Sequence, residues 1–408
     1  MLRESLDFRR FWIGETVSLV GDQVSLLALP LVGVLVLRAT PAQMGYLAAF
    51  GLLPNLVFSL HLGAWVDRYG RRRRLMIWAD AGRAALLLSI PAAYLAGHLG
   101  FIQLYVVAFL VGTLGVLFQV AYGTLFVSLV PREKYLEANS LVNGSRAMSQ
   151  VAGPSLGGLL VQALSGPVAI AVDALSFVAS AVSLSGIKAE EPAPATDADG
   201  GVMTGLRFIA RTPVMRAALG ATTTINFFNF VFAALFILYA SSTLHIPAGL
   251  LGLVLGAGAV GGLLGAAVTG RASRRLGIGP TFALGCLLFP APFLLIPLAS
   301  GPMALVLSFL FAAEFLSGVG VMMLDIASGA IFSALTPDAL RSRVRGAYMV
   351  VNFGVRPLGA LVGGALGTAI GTRNTLWAAA VGGILGVLFL LTPSILRLHD
   401  LPDEAAVA

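Results

Sequence analysis

Charged residues are scarce in this chain. Only 11% of its 408 residues are charged, whereas an average soluble domain carries about 25%. So little polar surface argues against a water-soluble enzyme and against a nucleic-acid-binding protein. Cysteine is almost missing too: Cys286 is alone, so no internal disulfide can form and a disulfide-stapled scaffold is excluded. The four histidines are scattered, and no Cys/His cluster has the spacing of a metal site. We therefore expect neither a metal nor a cofactor.

Long apolar runs are abundant. A helix needs roughly 20 apolar residues to cross the hydrocarbon core of a bilayer, and the sequence contains twelve such runs. The alternation of a membrane β-barrel is missing over long stretches. The predicted fold class is an all-α polytopic membrane protein with twelve transmembrane helices in two six-helix bundles. The predicted spans are 11–37, 42–66, 75–97, 101–127, 138–164, 167–187, 213–241, 247–270, 278–299, 302–332, 344–371 and 375–396.

The basic residues predict the orientation. Twenty-one of the 26 Lys and Arg residues fall on one side of these spans, and only Arg38 and Arg373 fall on the other. The side rich in Lys and Arg is cytoplasmic. We therefore expect both termini in the cytoplasm of a bacterial-type inner membrane. The net charge of +7 is then a topology signal and an attraction to anionic lipid, not a nucleic-acid footprint.

One polar stretch divides the spans six to six. It covers residues 188–212 and separates a predicted N-terminal bundle (1–187) from a predicted C-terminal bundle (213–408). Near its end, residues 205–209 are typical of a short amphipathic helix on the inner membrane surface. A shift of 206 positions aligns Pro131 with Pro337 and Gly153 with Gly359. A repeat of six plus six spans predicts two bundles that rock about a midplane substrate site.

Two motifs resemble those of a transporter family. Residues 63–73 read G-A-W-V-D-R-Y-G-R-R-R, and residues 153–158 read G-P-S-L-G-G. The first resembles the loop between spans 2 and 3 of the major facilitator superfamily, and the second resembles the antiporter motif of its exporters. Further stretches, including 173–177 and 205–208, are similar to its drug:proton antiporter branch of macrolide and siderophore exporters. Many drug:proton antiporters have an arginine inside span 4, and span 4 of this chain contains no arginine.

The two motifs suggest physical roles. Glycines allow a tight turn and close packing, and a fixed anion at a helix end can latch the cytoplasmic side shut against a partner helix. The alternative is that the arginines are only topology anchors. In span 5, the proline predicts a kink and the glycines predict close helix packing. The predicted gating-loop residues are Gly63, Asp67, Arg68, Gly70 and Arg71, and the predicted kink residues are Gly153, Pro154, Gly157 and Gly158.

Ionisable groups inside the spans cost roughly 2.5–3.5 kcal/mol each on insertion scales, so they are functional candidates. The resemblance implies that spans 1, 4, 7 and 10 line the cavity. Asp22 on span 1 and Glu314 on span 10 are the first proton-coupling candidates because they lie near mid-depth. Their alternative role is a structural hydrogen bond between helices. The other predicted cavity residues are Glu15, Asp325, Asn226, Asn229, Gln119 and Tyr122. Glu15 is seven residues from Asp22 and Asp325 is eleven from Glu314, so each pair is expected on one helix face.

The remaining charges receive structural interpretations. Asp80 and Arg83 are three residues apart, which predicts a local ion pair near the cytoplasmic interface. We expect Arg146 and Arg356 to bind backbone carbonyls or acids of the inner half. Asp173 lies in the outer third of span 6, and we expect a structural role for it.

The sequence favours a proton-coupled exporter of hydrophobic or amphipathic small molecules. No nucleotide-binding motif is present: the G-x-G-x-x-G pattern at 256–261 follows no strand. We expect no enzymatic activity, since the G-x-S-x-G pattern at 153–157 lies inside an apolar helix. The expected partners are a small-molecule substrate, protons and the lipid bilayer, with the protein as a monomer. Alternatives are a lipid or lysolipid flippase, a proton-coupled uptake symporter, and a transport-inactive sensor or assembly protein.

Overall fold

The computed structural model describes residues 2, 4–188, 202–396 and 398–399, without the side chains of 59–61, 63, 64, 67, 393 and 394. These residues form helices and contain no strand. The first half has α1 (Leu6–Leu31), α2 (Pro41–Tyr69), α3 (Arg72–Leu95), α4 (Phe101–Leu129), α5 (Tyr135–Leu164) and α6 (Gly166–Ser185). The second half has α7 (Val202–Arg211), α8 (Pro213–Ser242), α9 (Ala248–Leu276), α10 (Ile278–Leu288), α11 (Leu295–Leu298), α12 (Met303–Leu335), α13 (Arg341–Ile370), α14 (Thr372–Leu385) and α15 (Pro393–Leu396).

The helices confirm the predicted all-α membrane fold. Ten segments of the described chain are long and apolar enough to cross a membrane. The two other long helices, α2 and α5, coincide with predicted spans 2 and 5. The predicted ninth span is interrupted: α10 ends at Leu288, and Pro290 and Pro292 remove backbone donors before α11 begins. The predicted amphipathic segment is present as α7, which buries Ile209. Residues 189–201 of the predicted linker lie outside the described chain.

The chain forms two compact units. Unit 1 comprises Met1–Asp197 and His245–Gly256, and unit 2 comprises Ala198–Leu244 and Ala257–Ala408. The beginning of α9 therefore belongs to unit 1, although the sequence prediction placed all of span 8 in the C-terminal bundle.

Each unit has its own apolar core. In unit 1, α1 packs on α5 and α6, while α3 packs on α4 and α6. The core side chains there include Phe8, Phe11 and Leu75, all fully or almost fully buried. In unit 2, α8 packs on α13 and α14, and α10 packs on α12 around buried Phe282 and Cys286. This packing of the helices determines which polar side chains of different spans come into contact.

Candidate functional site

An ion cluster lies among α1 and α3 of unit 1. Arg83 donates a charge-assisted hydrogen bond to Asp80 Oδ1, and its Nη1 lies 3.8 Å from Asp22 Oδ1. Asp80 is fully buried and Arg83 is buried, whereas the Asp22 side chain is 48% exposed. The cluster thus connects a buried carboxylate to an accessible one through a single guanidinium group.

Two aromatic rings hold this guanidinium in place. The Arg83 Cζ atom lies 4.1 Å from the ring centroid of Phe177 on α6 and 4.7 Å from that of Phe118 on α4. Cation–π contacts stabilise a desolvated cation. Arg83 is therefore fixed by groups from four helices, α1, α3, α4 and α6.

Two further acids extend the cluster. On α6, buried Asp173 accepts a hydrogen bond from Ser176 Oγ at 3.0 Å. On α1, buried Glu15 interacts electrostatically with Asp22 and with Arg146 of α5. One carboxyl oxygen each of Asp80 and Asp173 has no hydrogen-bond partner in the described part of the chain.

The excess of acids determines what the cluster can do. Four carboxyl groups, those of Glu15, Asp22, Asp80 and Asp173, interact with two guanidinium groups, those of Arg83 and Arg146. Two carboxyl groups therefore lack a cation of their own. A carboxyl group in this situation can exist in protonated and ionised forms, so the cluster can take up and release protons.

A glycine permits this arrangement. A Cβ atom added to Gly21 would collide with the side chains of Asp173 and Ser176. Because Gly21 has no side chain, α1 and α6 approach closely and Asp22 comes within electrostatic range of Asp173.

The predicted Asp80–Arg83 ion pair is present, and Arg83 makes further contacts outside it. Arg83 is enclosed by α4 and α6, and it also contacts Asp22. Sequence reasoning therefore missed Asp80 and Asp173 as neighbours of Asp22. Their relation depends on the rotation of three helices about their axes, which residue spacing along each helix does not give.

The two residues predicted on span 4, Gln119 and Tyr122, differ from each other in their surroundings. Tyr122 stacks on Phe11, with ring centroids 5.1 Å apart, and continues an aromatic row with Phe118 and Phe126. Gln119 is exposed. The structure therefore makes Tyr122 part of the aromatic core of unit 1 and leaves Gln119 outside it.

Unit 2 contains an amide cluster between α8 and α13. The Asn226 Nδ2 atom donates to Asn352 Oδ1 at 3.1 Å and to the carbonyl of Thr222 at 3.0 Å. Asn352 Nδ2 in turn donates to the backbone carbonyl of Tyr348 at 3.3 Å. Asn226 was predicted from the sequence, whereas Asn352 was missed.

The second predicted asparagine lies elsewhere. Asn229 lines a small cavity of about 10 Å³ with Phe228, Phe232, Phe289 and Phe293 among its walls. This volume has room for about one water molecule. Asn226 and Asn229 thus have different surroundings, a hydrogen-bonded amide pair for the first and a small aromatic cavity for the second.

The two acids of α12 contact different helices. The Glu314 carboxylate lies against α9, where a Cβ added to Gly258 would come within 3.2 Å of Oε2. Asp325 is exposed and interacts electrostatically with Arg356 of α13. Within the described residues Glu314 forms no ion pair, so the two acids share no partner.

The intramembrane arginines Arg146 and Arg356 were expected to bind backbone carbonyls or acids of the inner half. Neither Arg146 nor Arg356 has a hydrogen bond to a carbonyl among the described residues, and Arg146 instead interacts electrostatically with Glu15. The Arg356 Cζ atom lies 4.1 Å from the ring centroid of Phe353 and 5.2 Å from that of Phe230. Of the two expected kinds of partner, acids are the one present: Glu15 interacts electrostatically with Arg146, and Asp325 with Arg356.

The predicted kink residues pack on two different neighbours within unit 1. Gly153 faces Gln23, and a Cβ on Gly157 would lie 3.0 Å from the Cα of Val24, so both glycines contact α1. Gly158 faces the start of α9, where a Cβ would lie 3.0 Å from the Cα of Gly252. Pro154 lies inside the continuous helix α5. Close packing, one of the two predicted roles, is thus observed.

The gating-loop motif forms the corner between α2 and α3. Gly70 ends α2 in the left-handed region with φ 69°, where glycine is favoured. Arg68 and Arg71 are exposed beside this corner, and Arg72 is buried. Gly63 and Asp67 belong to α2, but the surroundings of the Asp67 side chain lie outside the described part of the chain.

Comparisons with known proteins agree with this architecture. The sequence model of the Major Facilitator Superfamily matches residues 11–313 and 218–405. The multidrug efflux pump Tap of Mycolicibacterium fortuitum is 28% identical over 395 residues, covering 93% of each chain. The uncharacterized MFS-type transporter YfiS of Bacillus subtilis is 30% identical over 314 residues, covering 75% of this chain and 70% of its own.

Solved structures show the same fold. A bacterial homologue of the iron transporter ferroportin, in its inward-facing state, superposes with a TM-score of 0.76 at 18% identity and covers 96% of this chain and 98% of its own. A bacterial homolog of the human lysosomal transporter Spinster, inward-facing and occupied, gives a TM-score of 0.71 at 14% identity, covering 96% of each chain.

Proposed function

The chain belongs to the Major Facilitator Superfamily, and on that premise we propose that it exports hydrophobic and amphipathic small molecules in exchange for protons, by alternating access. It is a multi-pass membrane transporter rather than an enzyme. The direction of transport is inferred from its similarity to the multidrug efflux pump Tap. Proton coupling is inferred from the side chains of unit 1.

The observation that carries the proposal is the contact between Asp22 and Arg83. Asp22 is exposed, whereas Arg83 is buried and held by Asp80 and two rings. Protonation of Asp22 removes its attraction to Arg83, and ionisation restores it. A proton or a substrate that reaches Asp22 therefore changes the balance of charges between α1 and α3. One proton moving through 100 mV supplies about 2.3 kcal/mol.

Glu314 is the second proposed proton carrier. It lies at a close α9–α12 contact, where a Cβ on Gly318 would collide with the backbone carbonyl of Gly258. Protonation there removes a charge from between two closely packed helices. We propose further that the loop of Asp67 controls the conformational switch, and that the protein is a monomer in an inner membrane with both termini cytoplasmic.

The test uses amide variants in proteoliposomes. A panel of amphipathic dyes is first screened by thermal shift on the purified protein, and a dye that binds is used as the transport substrate. Asp22→Asn and Glu314→Gln should abolish uphill transport under an imposed pH gradient and retain at least part of the dye binding, because an amide keeps size and hydrogen bonding. Asp338→Asn is the control, since Asp338 is 84% exposed and its one ion pair among the described residues is with nearby Arg341.

The result can contradict the proposal in two ways. If both amide variants pump like the wild type, Asp22 and Glu314 are structural, and Glu15 and Asp325 become the next candidates. If the wild type moves the dye without any proton entry, proton coupling itself is refuted.

A further inference from the structure

Arg356 is a cation without a contacting anion. In the part of the chain that the structure describes, no carboxylate lies within 4 Å of it, and its Nε atom is buried without a hydrogen-bond acceptor. This differs from Arg83, which contacts two carboxylates. An arginine within a membrane span is costly to insert, so an unpaired one suggests a ligand.

Two aromatic rings lie near the guanidinium group of Arg356. Phe353 lies 4.1 Å and Phe230 5.2 Å from its Cζ atom, measured to the ring centroids. Arg356 itself is partly exposed. Rings that stack on a planar guanidinium occupy its faces, and its N–H groups at the edge stay available for a planar oxyanion.

Neutral hydrogen-bonding groups lie beside it. Asn352 is four residues before Arg356 on α13, and Asn226 is four residues before Phe230 on α8, so each pair shares a helix face. The bond between Asn226 and Asn352 therefore joins α8 and α13 next to the arginine. The site therefore offers a cation and two aromatic rings, beside an amide pair whose donors are hydrogen-bonded within the protein.

The ionisable groups around Arg356 leave the position for an anion unfilled. Asp325 of α12 and Tyr348 of α13 interact with it electrostatically, but neither forms an ion pair with it among the described residues. A ligand oxyanion therefore has no contacting side-chain carboxylate to displace.

We propose that Arg356 binds the oxyanion group, a carboxylate or a phosphate, of an aromatic amphiphile. The oxyanion pairs with the guanidinium edge, and the apolar part of the ligand packs against Phe230 and Phe353. This proposal deepens the proposed export function, on which it rests, by naming a substrate class. The same chemistry fits a transported organic acid and a lipid headgroup.

The test compares two probes of nearly identical shape in a neutral detergent without any gradient. We expect 1-naphthoate to bind at least about 10-fold more tightly than 1-naphthamide, because only the former has a charge to pair. Arg356→Gln should reduce naphthoate affinity at least about 10-fold and leave naphthamide unchanged. Arg356→Lys should give an intermediate affinity, since it keeps the charge and loses the planar fork. Arg345→Gln, an exposed arginine on the same helix, is the matched control.

Equal affinity of the wild type for both probes, or unchanged naphthoate binding in Arg356→Gln, would overturn the proposal. The wild-type comparison decides the matter even if the variant fails to fold. Binding in lipid nanodiscs distinguishes the two sources of the oxyanion, a lipid headgroup and a transported acid. If naphthoate binding is lost in phosphatidylglycerol nanodiscs but kept in phosphatidylcholine nanodiscs, the site binds a lipid headgroup. Retained binding in both assigns it to a transported acid. None of these binding measurements requires proton movement. A failure of the proton-coupled export proposal can therefore be distinguished from a failure of the oxyanion-binding proposal.

Discussion

The Asp80–Arg83 pair gives the most quantitative prediction. Arg83→Gln leaves Asp80 fully buried and without the cation that contacts it. Removing one partner of a buried ion pair costs about 3–5 kcal/mol, because the other charge stays desolvated and uncompensated. The same change removes the cation–π contacts with Phe118 and Phe177. We therefore expect Arg83→Gln to be strongly destabilising.

The reverse change should cost less. In Asp80→Asn, Arg83 keeps Asp22 at 3.8 Å as a partner, so its charge is not left alone. The expected cost is about 1–3 kcal/mol, the range for an impaired buried hydrogen bond. The double variant Asp80→Asn/Arg83→Gln removes both charges of the pair and can keep an amide–amide hydrogen bond. We expect it to be more stable than Arg83→Gln alone.

Thermal unfolding in detergent, followed by circular dichroism, measures this order. For a unit of 150–250 residues, 1 kcal/mol corresponds to about 2–4 °C in Tm, so Arg83→Gln should lower Tm by about 6–20 °C. Arg373→Gln is the control, because Arg373 makes a hydrogen bond of 2.8 Å to the carbonyl of Pro297 and contacts no acid among the described residues. Because Arg373 is exposed and glutamine keeps an N–H donor, the expected loss is about 0.5–1.5 kcal/mol, or about 1–6 °C in Tm. A Tm within 2 °C of the wild type for Arg83→Gln, or a double variant less stable than it, would refute the reasoning.

Three further predictions test the other elements. Asp67→Asn should impair transport at equal expression in the membrane; undiminished efflux would leave the 63–71 loop as a topology anchor. A cysteine at position 199 in a Cys286→Ser background should resist an impermeant thiol reagent in intact cells, since the 188–212 linker is expected to be cytoplasmic, and labelling would contradict that orientation. Gly158→Ala should lower Tm, because the added Cβ would lie 3.0 Å from the Cα of Gly252. Gly144→Ala is the control and should not lower Tm, since Gly144 lies on the same helix with open space around it. Equal effects of the two variants would exclude close packing as the cause.

The sequence was informative about spans because bilayer thickness sets the length of an apolar helix. It also predicted α7, since the apolar residues near 205–209 recur at helical spacing and Ile209 is buried. The interruption before α11 was missed, although Pro290 and Pro292 are visible in the sequence. Uniform hydropathy across that run concealed the break.

The polar contacts were harder to predict because they join different helices. Glu15 and Asp22 were expected on one face of α1, and they do interact electrostatically. Glu314 and Asp325 were expected on one face of α12, yet they meet different neighbouring helices. Over eleven residues, a small departure from ideal helical geometry accumulates, and the packing of neighbouring helices decides which partner each carboxylate meets.

A comparison of Arg83 with Arg356 separates binding from coupling. Both guanidinium groups lie near two phenylalanine rings, so aromatic contact is a shared way of keeping a cation inside an apolar helix bundle. They differ in their anions, since Arg83 contacts Asp22 and Asp80 whereas Arg356 contacts none in the described chain. Arg83 therefore suits a role in which protonation changes an existing ion pair, and Arg356 suits one in which a ligand supplies the missing anion. On this reasoning Asp22→Asn alters transport without changing naphthoate affinity. Arg356→Gln lowers naphthoate affinity but does not alter the transport of a neutral substrate that is present at saturating concentration.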